Sequence, residues 1–207
     1  MRAIKKHKWL KLTIALLLGG VVVIAIRFAT IKNTTVHYHA NFALYVNDVH
    51  DEFSGPGYYE EVQACSTTEK DNPRARVHMH NNENHIVHVH DNAVTWGDFF
   101  ANLGYTLGDK ALVTNQGVFV DNADGNKLTF ILNGKTTDAI ADRVIGNEDV
   151  LLIDYGKDDN ATIQKDYDAI PRDAHKENLE KDPASCGGAS AHWSTTDRLK
   201  HAAEFWQ

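Results

Sequence analysis

Cysteine, proline and methionine are all scarce, at two, four and two in 207 residues. Two cysteines are too few for a disulfide-built scaffold, and the lack of any Cys-x-x-Cys excludes zinc ribbons and thioredoxin-type motifs. There is no His-Glu-x-x-His, no Gly-x-Ser-x-Gly and no phosphate-cradling glycine loop. A blue-copper centre needs a Cys-x-His-x-Met cluster, which is missing, and Glu83 follows His80 too closely for a cupin. Acid is absent from residues 1–32, which hold seven of the 21 basic residues. The remainder therefore carries 14 basic against 28 acidic residues, a net of −14. So negative a surface repels phosphate backbones and attracts cations, which argues against nucleic acid as a partner. With 43% apolar residues the chain is not disordered throughout, and its length suits one core with appendages.

One long apolar run is present. Arg2, Lys5, Lys6, Lys8 and Lys11 precede residues 12–26 (LTIALLLGGVVVIAI), and Arg27 and Phe28 follow. Fifteen helical residues span roughly 22 Å, short of a ~30 Å hydrocarbon layer unless Trp9 and Leu10 join and Lys11 and Arg27 snorkel. A cleaved signal peptide is the rival reading, but no small-x-small site follows and Arg27 lies where one is needed. Residues 1–32 are read as a basic cytoplasmic tip and a single-pass anchor, with the rest of the chain outside the cell membrane. In an oxidising compartment Cys65 and Cys186 could pair, closing a loop of about 120 residues worth up to about 4–5 kcal/mol. Free thiols, or pairing to another chain, are the alternatives.

Histidine is the abundant residue, with 12 copies and no consecutive run. Val36, Tyr38, Ala40, Phe42, Leu44 and Val46 alternate with His37, His39, Asn41, Ala43 and Tyr45, a half-buried strand ending at an Asn47-Asp48 turn. Residues 51–75 read as an irregular surface excursion. Val77-His78-Met79-His80 and Ile86-Val87-His88-Val89-His90 then form a hairpin. If Val77, Met79, Val87 and Val89 share the core face, residue 78 lies opposite 88 and 80 opposite 86, and His78, His80, His88 and His90 share the other face. The parity of the first strand adds His37 and His39, provided that strand lies beside the hairpin.

Opposed strand residues have Cβ atoms about 4.5–5.5 Å apart, close enough for two imidazoles to reach one ion. His78 and His88 are the expected chelating pair, with His80, His90, His37 and His39 supplying further ligands. An all-imidazole site suits Cu(II), Zn(II) or Ni(II), and its binding is expected to weaken on acidification. For a single His-x-His pair, a merely solvated outer face is the better explanation; three pairs of common parity favour a metal. His85, beside Glu83, is a reserve ligand, and Asp91 or Glu83 could complete a two-His-one-carboxylate iron site. His7, His50, His175, His192 and His201 are read as ordinary surface histidines. Residues 121–126 lack the alternating ligands of a calcium loop and read as a turn.

Downstream, a helix over 96–103, capped by Thr95 or Asn92, places Trp96, Phe99, Phe100 and Leu103 on one stripe, with Gly104 at its end. Short strands follow at 111–113, 117–120, 128–132 and 150–154, with Asn133-Gly134 as a tight turn. Residues 157–207 are polar, with helical fragments at 172–181 and 194–206. The expected fold is α+β, a mainly antiparallel, β-grasp-like sheet with one packed helix over residues 33–156, followed by a 157–207 extension whose Phe205 and Trp206 could dock onto the domain or onto a protein partner.

His37-Tyr-His39-Ala-Asn-Phe-Ala-Leu-Tyr-Val-Asn-Asp, then His78-Met-His80, His85-Ile-Val-His88-Val-His90 and Val-Thr-Trp-Gly-Asp-Phe-Phe resemble a broad family of exported or membrane-anchored prokaryotic proteins. Its pattern joins a His-x-His strand, a His-x-His-acid…Ile-Val-His-Val hairpin and a Thr-x-Gly-x-Phe-Phe helix. The resemblance covers residues 36–155 and implies an extracytoplasmic domain with a metal site of unassigned activity. Asn81 stands where the family has an acid, and Asn47-Asp48 where it has Asn/Asp-Gly. The leading expectation is a membrane-anchored protein binding copper or zinc through six histidines. A metal-dependent oxidoreductase or hydrolase at the same site, and an adhesion or assembly module, are the alternatives.

Overall fold

The structure, a computed structural model, describes residues 2–31, 36–60, 72–180 and 195–204. Cys65, Cys186, His192, Phe205 and Trp206 lie outside the described residues, so the cysteine pairing and the docking role of the last aromatics are not addressed by it. Two compact units emerge, one within residues 35–190 and the other formed by 1–34 with 191–207.

In chain order the elements are α1 (Arg2–Thr30), β1 (Tyr38–Val46), β2 (Val49–His50), α2 (Pro73–Arg76), β3 (Val77–His78), β4 (Ile86–Val89), α3 (Trp96–Asn102) and β5 (Thr106–Leu107). They continue with β6 (Ala111–Thr114), β7 (Gly117–Val120), β8 (Lys127–Leu132), β9 (Lys135–Thr137), β10 (Val150–Gly156), α4 (Asn160–Ala169), α5 (Ala174–Leu179) and α6 (Thr195–Ala203).

The larger unit is α+β. Its main sheet runs β3-β4-β1-β10-β8-β9, with β2 on β1, and β5-β6-β7 form a small second sheet. Every pairing is antiparallel except β1 with β10, which run parallel at the centre. The mainly antiparallel sheet with a helix on one face is the α+β, β-grasp-like arrangement expected; the parallel pair at its centre was not foreseen. The β1–β2 link turns through Asn47 and Asp48, both at positive φ (51° and 64°), the two-residue conformation that matches strand twist.

On one face Ala40, Phe42, Leu44 and Val46 of β1 meet Val77, Met79, Val87 and Val89 of the hairpin, Leu151 and Ile153 of β10, and the Trp96, Phe99, Phe100 and Leu103 stripe. Thr95 accepts from the Asp98 N–H (3.1 Å) while the Asp98 carboxylate accepts from the Thr95 N–H (2.9 Å), a reciprocal cap that fixes the start of α3. Gly97 is required there, since a Cβ would sit 2.8 Å from the Ala141 carbonyl oxygen. Phe53 also enters this core, 1% exposed, although residues 51–75 read as surface; no alternation marks it because it comes from an irregular segment.

The opposite face carries a second layer that the sequence did not announce. Asp159 caps α4 by accepting from the Thr162 N–H (2.8 Å), and Ile163, Tyr167 and Ile170 cover Ala43, Ile131, Val150 and Leu152. Residues 160–179, read above as part of a polar extension, therefore pack on the sheet. The same face ends in Asp154, 1% exposed, whose carboxyl is pushed up to about 7 by burial first and then by Asp158, Asp166 and Asp48.

In the smaller unit, Trp9–Thr30 of α1 is long and apolar enough to cross a membrane. The Arg198 guanidinium of α6 donates to the Phe28 carbonyl (2.6 Å) and lies 4.8 Å from that ring's centroid, and Arg27 donates to the His201 carbonyl (3.2 Å). Arg198 thereby satisfies a carbonyl of the last helical turn, which has no partner within the helix.

Candidate metal centre

The odd-numbered face of β1 and the matching face of the hairpin bring all six predicted histidines together. Pairing of β1 with β4 sets His39 opposite His88, and pairing of β3 with β4 sets His78 opposite His88, the register expected from parity. Every one of the six ring centroids lies within 4.9 Å of another: His37–His90 4.7 Å, His39–His88 4.3 Å, His80–His88 3.7 Å and His78–His90 4.9 Å. His39, His78, His80 and His88 are 2–3% exposed, so the patch is buried rather than solvated.

The closest donor set is His37, His39 and His88, with one ring nitrogen from each within 4.8 Å of the other two. His78 and His88, the expected chelating pair, instead stack with centroids 5.9 Å apart and planes 6° from parallel. The cause is local. His78 Nδ1 lies 2.7 Å from the Arg74 carbonyl oxygen, which can only accept, so this ring is turned along the sheet by α2.

Tautomers follow from the partners. Asn178 of α5 donates through Nδ2 to Asn147 Oδ1 (2.8 Å), so its Oδ1 faces β1 and accepts from both the His39 backbone N–H (2.9 Å) and Nδ1 (2.8 Å). With the proton held on Nδ1, His39 Nε2 presents its lone pair, and His88 Nδ1 lies 2.9 Å from it. Two nitrogens each at about 2.0–2.1 Å from one ion and at right angles would be about 2.9 Å apart, so this spacing fits a shared metal as well as it fits a hydrogen bond. His88 Nε2 and His90 Nε2 are buried without a hydrogen-bond partner. Burial first, and then the neighbouring imidazoles, hold His88 and His90 well below the ordinary histidine value, so both rings are neutral, the form that ligates.

The surroundings keep positive charge away. Arg74 pairs with Glu60 (2.7 Å) and Arg76 with Asp91 (2.8 Å), which also removes Asp91 as a ligand. His85 is likewise not part of the cluster: its Nε2 contacts Asp173 (2.9 Å), which also accepts from Asn41 Nδ2 (2.7 Å). Asn41 Oδ1 in turn accepts from the Ala174 N–H (3.0 Å), so Asn41, His85 and Asp173 clamp α5 over the histidine face. Glu83 is the carboxylate beside His80; burial first, then Glu177, raise its carboxyl, opposed by His80 and His85. His50, His175 and His201 pair with Glu52, Glu148 and Glu204 at the surface. Asp121 accepts from the Leu128 N–H (3.1 Å) and pairs with Lys110, an ordinary turn.

Asn178, Asn41 and Asp173 are the residues that sequence reasoning missed. Asn178 and Asp173 had no signal beyond an Asn and an Asp in a short helical fragment, and Asn41 none beyond its place on the histidine side of β1, because the contacts that give them a role join segments more than 130 positions apart. No family model, curated protein or solved structure matches the chain.

Proposed function

We propose that the protein is a membrane-anchored, extracytoplasmic metal-binding protein that holds copper or zinc through the multi-histidine face of its sheet. The observation carrying this reading is the His37–His39–His88 donor set, with His39 oriented by Asn178 and the rings of His78, His80 and His90 around it. One ion takes three or four of the six rings, and the others form its polar surround. Cover by α5 and near-complete burial of four rings favour retention of an ion over turnover of a substrate. The five basic residues before the apolar segment support a cytoplasmic N-terminus and an exported sheet domain, in keeping with the resemblance to exported or anchored His-x-His proteins.

The test is elemental analysis of the full chain, purified in detergent without a histidine tag. Copper or zinc at about one equivalent is expected. The His37→Ala variant, altered at a half-buried ring, and the His39→Ala/His88→Ala double variant should both lose it. Absence of metal after titration with Cu(II) and Zn(II), or equal binding by all three proteins, overturns the reading.

A further inference from the structure

The far end of the same sheet face holds a second cluster of a different chemistry. Asp154 is the last residue of β10 to place a side chain on that face, Asp158 lies in the link to α4, and Asp166 lies on α4 one position before the buried Tyr167. One carboxylate oxygen from each falls within 4.8 Å of the other two. Asp158 also reaches the carboxylate of Asp48 in the β1–β2 turn, so four acids from a turn, a strand, a link and a helix converge. Among the described residues no ion pair reaches any of the four. Lys165 and His50 are the cationic groups that act on Asp166, and His50 is engaged by Glu52 (2.9 Å).

An acidic cluster on a surface needs no ligand, but here one member is not on the surface. Asp154 is 1% exposed, and its Oδ2 is buried without a hydrogen-bond partner. A buried carboxylate costs several kcal/mol unless a cation or donors compensate it. Among the described residues no side chain does so. We propose that Asp154, Asp158 and Asp166, with Asp48 beside them, form a second metal site that takes a hard divalent cation of the calcium class. The donors are all oxygens, which selects against the copper or zinc suited to the imidazole face. With three of the four carboxylates on a turn, a link and a helix beside β10, the site tolerates the irregular, high coordination of Ca2+ better than the rigid octahedron of Mg2+. A bound cation would tie α4 to the end of β10 and to the β1–β2 turn, a structural role that does not depend on the histidine site.

The experiment is thermal unfolding of the detergent-solubilised full chain during titration with CaCl2, with MgCl2 and NaCl at matched ionic strength alongside. A saturable rise in Tm of about 5 °C with Ca2+, and less with Mg2+, is expected. Asp154→Asn keeps the shape and removes the buried charge, so it should abolish the Ca2+ response while raising the ion-free Tm. Asp166→Asn, altered at a partly exposed helical position, should weaken the response at least tenfold in midpoint concentration, and His37→Ala should leave it unchanged. No Ca2+-specific rise, or an undiminished rise in both aspartate variants, overturns the proposal.

Discussion

At the residue scale, the candidate centre depends on how each ring is turned as much as on where it sits. Asn178 holds the proton of His39 on Nδ1, and that single hydrogen bond decides which nitrogen meets an ion. Asn178→Ala should therefore lower Cu(II) or Zn(II) affinity by about 10–100-fold with the six histidines intact, measured by competition with a chromophoric chelator. Unchanged affinity would assign Asn178 to packing alone. Asp173 offers a pH test of the α5 clamp. Burial raises its carboxyl, but hydrogen bonds from His85 and Asn41 outweigh this and leave it below the usual carboxylate value. A group depressed in the folded state stabilises above its unfolded value, and that contribution is lost as pH falls through the folded one. The Tm gap between the parent and Asp173→Asn should hold from pH 7 to about 5 and close below about pH 4. A gap indifferent to pH would show that the clamp works through shape, not charge. Strand parity made the shared side of the six histidines legible, because a one-residue slip would expose Val77, Met79, Val87 and Val89. The ring orientations were not legible, since the Arg74 carbonyl and Asn178 that set them come from helices with no periodic signature.

At the element scale, legibility follows the strength of the local period. β1, the hairpin and α3 read cleanly because alternation of two and a stripe at 96, 99, 100 and 103 leave one apolar face each, although both faces of β1 and the hairpin are buried. The α4 helix carries a comparable stripe, Ile163, Tyr167 and Ile170 behind the Asp159 cap, but three apolar residues in a polar stretch resemble a solvated fragment until a sheet face is present to receive them. The parallel β1–β10 pairing joins segments more than 100 residues apart and has no local signal at all. These differences predict different costs. Ile163→Ala, in the small second core, should destabilise by about 2–3 kcal/mol, and Thr95→Ala, which removes one half of the α3 cap, by about 1 kcal/mol, both read from urea unfolding. An Ile163→Ala cost below the cap's would mean that α4 lies on the sheet without being held by it.

At the scale of the folded unit, one sheet face is divided by chemistry, with imidazoles under α5, apolar packing under α4 and carboxylates at the end of β10. The sheet's other face is apolar along the strands that meet α3, so the polar elements are gathered where a second helical layer covers them. That layer is short, and much of its hold on the histidine end is polar: Asn41, His85, Asp173 and Asn178. Metal binding to His37, His39 and His88 should therefore stabilise the layer as well as the ligands, since an ion bound only by the folded form raises its stability by RT ln(1 + L/Kd), with L the free ion concentration. Stripping transition metal from the detergent-solubilised full chain should lower Tm by several degrees and speed hydrogen exchange of the Ala174 and His39 amides, both of which donate across the α5–β1 contact. Exchange at the Leu107–Leu112 pairing of the second sheet should stay as it was. If removal neither sped exchange at the two amides nor lowered Tm, α5 would be held by its own hydrogen bonds, and the ion would be a passenger on a prefolded face.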